Sequence, residues 1–346
     1  MTAQTAGIAA QEGPGRQILH DFAPDSASAR ALDQGVVEAF AQSLQSLFDT
    51  IGGDLGTDAS MTAALVRRVR KEGAPPGAFG LYSDLVLAAA ADRVAEARRL
   101  ASALLASSPQ APALRLVTLA DAELGLGQAD RYRRLAGSDQ EGLNLSAVTA
   151  AEKGRAGELI DEAFRLLGEA APELAGELRA LLREIVLVDG ASSEGVDFGG
   201  AATFYLWGAV FVNSPRLTGR HAMVQALVHE TAHLHLFGLT KGEPVVMQDD
   251  GEALYPSPLR EDPRPLEGVA HAAFVLARLM WCEQRLLASG RLDDGEAAKA
   301  KSDLASFRAD YAAAMRPVKA HARLTDEGAA IFAAADRFVR SLQPAG

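Results

Sequence analysis

Residues 222–237 read AMVQALVHETAHLHLF. Apolar side chains recur here at three- and four-residue spacing with no Gly or Pro to interrupt them, which predicts a helix. Inside it, His229 and His233 bracket Glu230 in a His-Glu-x-x-His pattern, a known signature of helix-borne metal sites. Residues four apart differ by about 40° around a helix axis, so both imidazoles can meet one ion from a single face. Glu230 then points beside the ion rather than at it. We read His229 and His233 as two protein ligands of a catalytic divalent metal. His235, two positions beyond His233, faces roughly the opposite side and reads as a packed or solvated histidine.

Working outward from this helix, two short segments upstream have strand character. EIVLVD at 184–189 is β-branched and is followed by Gly190; TFYLWGAVFVN at 203–213 is aromatic and β-branched and is followed by Ser214-Pro215;. Helical periodicity marks 29–48, 81–105, 147–167 and 173–182 before them, and 266–288, 293–314 and 326–342 after the metal helix;. Gly73-Ala-Pro-Pro-Gly77 reads as a sharp connector between helices;. The expected fold is α+β, predominantly α-helical, with a small sheet packed beside a zincin-like metal helix. Residues 1–20, small and polar, read as a mobile tail. Residues 21–346 read as a single catalytic domain, divided into a helical N-terminal half (21–182), a metal-site region (183–290) and C-terminal helices (291–346).

Composition narrows the class of partner. The 346 residues are 48% hydrophobic and 23% charged, which suits a folded chain rather than a disordered one;. Forty-five acidic against 34 basic side chains give a formal net charge of -11, so neither nucleic acid nor an anionic membrane is expected as a general partner;. Residues 1–17 lack the basic-then-apolar order of a signal peptide, and no run approaches the roughly 18–20 apolar residues of a membrane span. The lone cysteine, Cys282, lies in an apolar run and reads as a core thiol;. A cytoplasmic location is expected.

Two histidines do not hold a catalytic metal alone. The metzincin solution is ruled out, because Leu236 and Leu239 stand where its glycine and third histidine would be;. Downstream, Glu267 and His271 are four apart on the next expected helix and share a face, so either could complete the site; His271 is favoured. The loop before them, SPLREDPRPLEG at 257–268, carries Arg260 and Arg264. A guanidinium grips a carboxylate through two parallel hydrogen bonds, so either arginine could anchor an acidic cosubstrate, or simply pair within the loop. His20, His221 and His321 have no ligand spacing around them and are assigned no role.

Taken in order, TFYLWGAVFVN, ALVHETAHL and REDPRPLEGVAHAAFVLARL, within roughly residues 200–290, resemble a bacterial family of HExxH-motif peptide-modification proteins. These are 2-oxoglutarate (α-ketoglutarate)-dependent HExxH-type peptide β-hydroxylases that act on ribosomally made precursor peptides. The resemblance implies Fe(II) held by His229, His233 and His271, with 2-oxoglutarate and O2 as cosubstrates and Arg264 or Arg260 on the far carboxylate. It also implies a precursor peptide as substrate and other peptide-maturation enzymes as possible partners. Glu230 would then orient a ligand or substrate, and a peptide could pair with an exposed edge of the 203–213 strand, unless that strand is internal. From the motif alone a zinc metallopeptidase would lead, with Glu230 as general base and Glu267 as third ligand. A third reading is a non-catalytic peptide-binding module with a structural metal.

Overall fold

The computed structural model describes residues 22–108, 113–137, 143–192, 198–248, 251, 253–259 and 262–342. The expected N-terminal tail, 1–20, lies outside them, as does Arg260. The chain opens with four helices: α1 (Ser26–Leu55), α2 (Ala59–Glu72), α3 (Pro76–Ala90) and α4 (Val94–Leu105). Strand β1 (Arg115–Thr118), short helices α5 (Asp121–Leu124) and α6 (Gln128–Ala136), and strand β2 (Leu143–Ala147) follow. Then come α7 (Ala150–Ala170), α8 (Pro172–Leu181), β3 (Glu184–Ser192), β4 (Gly200–Ala202) and β5 (Ala209–Asn213). The helix that carries the His-Glu-x-x-His motif is α9 (Arg220–Thr240), followed by α10 (Leu266–Ser289), α11 (Asp294–His321) and α12 (Asp326–Ser341). The fold is predominantly helical with a small mixed sheet, as the α+β expectation required.

The sheet runs β1-β3-β5-β4, with β1, β3 and β5 parallel, β4 antiparallel to β5, and β2 antiparallel to the end of β3. Its two faces are read directly from the alternation of side chains along a strand. Ile185 and Leu187 of β3, with Val210 and Val212 of β5, join the large apolar cluster that includes α9 and α10. Val186 and Val188, with Ala209 and Phe211, join a smaller cluster capped by Tyr132 and Leu135 of α6. Burial on both faces explains why β3 and β5 are continuous apolar runs rather than alternating ones.

Four details depart from the sequence reading. The segment 203–213 is not one strand: Phe204–Leu206 is a 3-10 turn capped by the Thr203 hydroxyl, and only Ala209–Asn213 is extended. The break falls at Gly208, whose φ of 89° lies in the region that favours glycine, and whose carbonyl accepts the N–H groups of Arg183 and Glu184;. Helical 81–105 is two helices, because Asp92 adopts φ 54° and the Arg93 N–H closes onto the Ala88 carbonyl at 2.9 Å;. The first half also contributes β1 and β2, and β3 continues through Gly190. Strands β1 and β2 are only 4 and 5 residues long and pair with a partner distant in sequence, so local pattern carries little trace of them.

Helix α9 packs against α1, α7, α8, α10, β4 and β5. Leu227, Val228, Leu234 and Leu236 are almost fully enclosed, each worth about 1.5–3 kcal/mol relative to exposure. Two buried polar contacts tie it to its neighbours. Near its start, His221 meets the Glu283 carboxylate of α10 at 2.8 Å, and Gln225 donates to Glu283 and Asp303. Although burial opposes its charge, the hydrogen bond and negative charge of Glu283 raise the His221 pKa;. Further along, Glu177 of α8 pairs with Arg278 of α10 and lies 3.4 Å from the His235 ring. Arg278 also donates to the Phe22 carbonyl at 2.7 Å. Burial alone would raise the Glu177 pKa, but the charges of Arg278 and His235 outweigh it and hold the value at about 2.

Removing one partner of such a buried pair strands the other, so Arg278→Met is expected to cost about 3–5 kcal/mol in urea denaturation. The depressed carboxylate also fixes an acid limit. Its stabilisation is fully present above the ordinary value of 4.5 and is lost as pH falls from there towards 2;. The stability difference between wild type and Glu177→Gln should therefore be flat above that window and shrink within it, as followed by denaturation at a series of pH values.

Candidate metal centre

The motif residues sit in the middle of α9, where neighbouring elements hold the backbone on most sides. The ring centroids of His229 and His233 are 5.1 Å apart. A ring nitrogen of each and a Glu230 carboxylate oxygen all lie within 4.8 Å of one another, so the three could hold a metal ion. His229 Nε2 is 4.0 Å from Glu230 Oε1; the His229 side chain is 31% exposed and that of Glu230 6%. The site thus has an open imidazole side and an enclosed carboxylate side. Glu230 is placed against β4, on the strand face that looks at α9.

Helix α10 brings up His271, whose ring centroid lies 5.9 Å from that of His233. Phe237, one turn beyond His233, packs against both rings, at 6.4 Å and 5.3 Å between centroids. His271 is outside the compact group formed by His229, Glu230 and His233 but stands beside it, next to His233. The donor set suits a borderline divalent cation.

Glu267, the other candidate for third ligand, is already engaged. Its carboxylate accepts the Val245 N–H at 3.0 Å and the Val246 N–H at 2.9 Å, and its Oε1 lies 3.0 Å from His271 Nε2. A carboxylate with two backbone donors and an imidazole would forfeit all three contacts to turn towards a metal. As placed, it holds the chain leaving α9 against α10 and engages the Nε2 of His271. With Nε2–H donating to Glu267, Nδ1 is left as the ring nitrogen for a metal, the arrangement by which outer carboxylates orient ligand histidines.

Arg264 lies just before α10 and packs over Gly268. Its Nε is 2.9 Å from Asp262, whose side chain is 53% exposed, and its backbone forms a two-bond bridge with Tyr255 at 2.7 Å and 2.8 Å. The loop bearing Arg264 thus leads into the first turn of α10, which carries Glu267. His235 faces away into the Glu177–Arg278 cluster, as its position in the helix implied. His221, given no role from the sequence, is a buried anchor of α9. Two contributors had no local signal: Phe237 as a wall behind two imidazoles, and Glu267 as a cap for backbone N–H groups some 22 residues earlier.

No family model and no curated protein matches the chain.

The geometry predicts a graded loss of metal affinity in chelator competition. His229→Ala and His233→Ala should abolish tight binding, and His271→Ala should weaken it severely. Glu267→Gln should weaken it by about 10–100-fold through loss of orientation, whereas His235→Ala should retain the wild-type value. Wild-type affinity in His271→Ala would remove that residue from the ligand set.

Proposed function

We propose that this chain is an Fe(II)- and 2-oxoglutarate-dependent oxygenase that hydroxylates a β-carbon in a ribosomally made precursor peptide. It would do so on a zincin-like helix, in the cytoplasm, alongside other peptide-maturation enzymes. The observation that carries the reading is the engagement of Glu267 by Val245, Val246 and His271. It supports His271 over a carboxylate as third ligand and leaves His229, His233 and His271 to hold one face of an ion. That is the arrangement implied by the resemblance of residues 200–290 to the peptide β-hydroxylases.

With iron bound, the cosubstrates supply the oxidising power: 2-oxoglutarate and O2 are converted to succinate and CO2, one oxygen atom entering succinate and the other the peptide C–OH. The chain's own residues do the positioning. Arg264 would receive the far carboxylate of 2-oxoglutarate in place of Asp262. The exchange costs little, because Asp262 is half exposed and such pairs contribute roughly 0–1 kcal/mol;. Glu230, enclosed beside the imidazoles, would hold a ligand or peptide group by hydrogen bonding. The peptide cannot add to β5, which pairs with β3 on one side and β4 on the other. Among the described residues the sheet ends at β4, so its outer edge beside α9 is the one we assign to an extended peptide segment.

A specific observation favours a second reading, zinc peptidase. Glu230 lies 4.0 Å from His229 Nε2, where a general base could take a proton from the water attacking a scissile carbonyl. Anaerobic reconstitution with Fe(II), followed by titration with 2-oxoglutarate, separates the two. A visible charge-transfer band should grow with 2-oxoglutarate and be absent in His229→Ala. Arg264→Leu should raise the half-saturating concentration by about ten- to a hundredfold, the loss of a charge-assisted carboxylate contact. No band, with zinc retained and peptide hydrolysis abolished in Glu230→Gln, would establish the peptidase instead.

A further inference from the structure

Strand β4 begins at Gly200, the second of two adjacent glycines. The pairing Gly200↔Val212, Ala201↔Phe211 and Ala202↔Val210 fixes which way each residue faces. Val210 and Val212 belong to the cluster containing α9, and Phe211 to the opposite one. Gly200 therefore faces the metal helix. A β-carbon built there would lie 2.6 Å from Glu230 Oε1, 2.9 Å from its carboxyl carbon and 2.5 Å from the Phe211 carbonyl oxygen. Gly199 has open space at the same point. Nor is Gly200 among the glycines with positive φ, so backbone freedom does not require glycine here. What the position requires is room, and the Glu230 carboxylate occupies much of it.

We propose that Gly200 is a positioning residue for Glu230. By withholding a side chain, the edge strand accepts the carboxylate into its face and fixes it beside His229 and His233. Glu230 is 5% exposed, and a buried carboxylate in a seat this close has few alternative rotamers. A methyl group at 200 would push the carboxylate out of the seat and alter what the bound metal's open side meets. It would also press on the β5 backbone. The proposal rests on the metal reading of α9 but holds for either reaction, because both need Glu230 at a fixed place.

The test uses the full chain loaded with Co(II), whose visible ligand-field spectrum reports the metal's surroundings. Gly200→Ala should shift that spectrum in the direction produced by Glu230→Ala, the double variant should match Glu230→Ala alone, and Gly199→Ala should match wild type. In urea denaturation the midpoint loss caused by Gly200→Ala should be smaller in the Glu230→Ala background, keeping only the part set by the Phe211 carbonyl. A folded Gly200→Ala protein with the wild-type spectrum would overturn the proposal and leave glycine with strand spacing only. Should Gly200→Ala fail to fold, amide exchange at 200–202 decides. Protection kept in the isosteric Glu230→Gln but lost in Glu230→Ala is expected, and equal protection in both contradicts it. Wild-type protein that binds no Co(II) would sink the metal reading itself, and this inference with it.

Discussion

A helix enclosed on nearly every side sets the constraint from which the rest of this structure follows. Helix α9 must carry two imidazoles at its open side while the sheet, α1, α7, α8 and α10 cover the remainder. That demand explains its composition. Leu227, Val228, Leu234 and Leu236 fill the core, and two histidines on its covered sides meet buried carboxylates. His221 has Glu283, and His235 has Glu177 with Arg278 behind it. Both anchors run to α10, so the two helices that would supply metal ligands are locked in register by buried charge as well as by apolar contact. Free sliding of α10 past α9 would break both at once.

Against that frame the site divides into a rigid part and an adjustable one. His229, His233 and Glu230 are fixed by the helix itself and by the glycine seat on β4. His271 is held through Glu267, which spends its carboxylate on the backbone of Val245 and Val246. One carboxylate thus joins the exit of α9 to the start of α10 and orients the third imidazole. Arg264, whose partner Asp262 is largely open to solvent, is the adjustable element. Its ion pair can be exchanged for a ligand carboxylate without dismantling anything buried.

How much of this was legible in the sequence depended on the range of the interaction. His229 and His233 could be read because a helix brings residues four apart together unaided, and the same periodicity put His235 on the far side. The Glu267–His271 pair was equally visible, whereas the backbone N–H groups of Val245 and Val246 that engage Glu267 come from another segment and left no local trace. EIVLVD declared itself as a strand through burial on both faces, whereas β1 and β2 are too short and too dependent on distant partners. The run 203–213 misled because aromatic and β-branched residues also suit a 3-10 turn when a glycine such as Gly208 reverses the chain. Nothing in the local pattern marks Gly200; only the position of the Glu230 carboxylate reveals that an absent side chain is what matters.

The central claim is that His229, His233 and His271 together hold one metal ion while Glu267 orients the last of them. X-ray absorption at the edge of the bound metal tests it most directly, because multiple scattering from imidazole rings counts them. The account predicts three imidazoles in the wild-type protein and two in His271→Ala, with Glu267→Gln retaining three. Two imidazoles plus a carboxylate in the wild type, lost on Glu267→Gln, would contradict it.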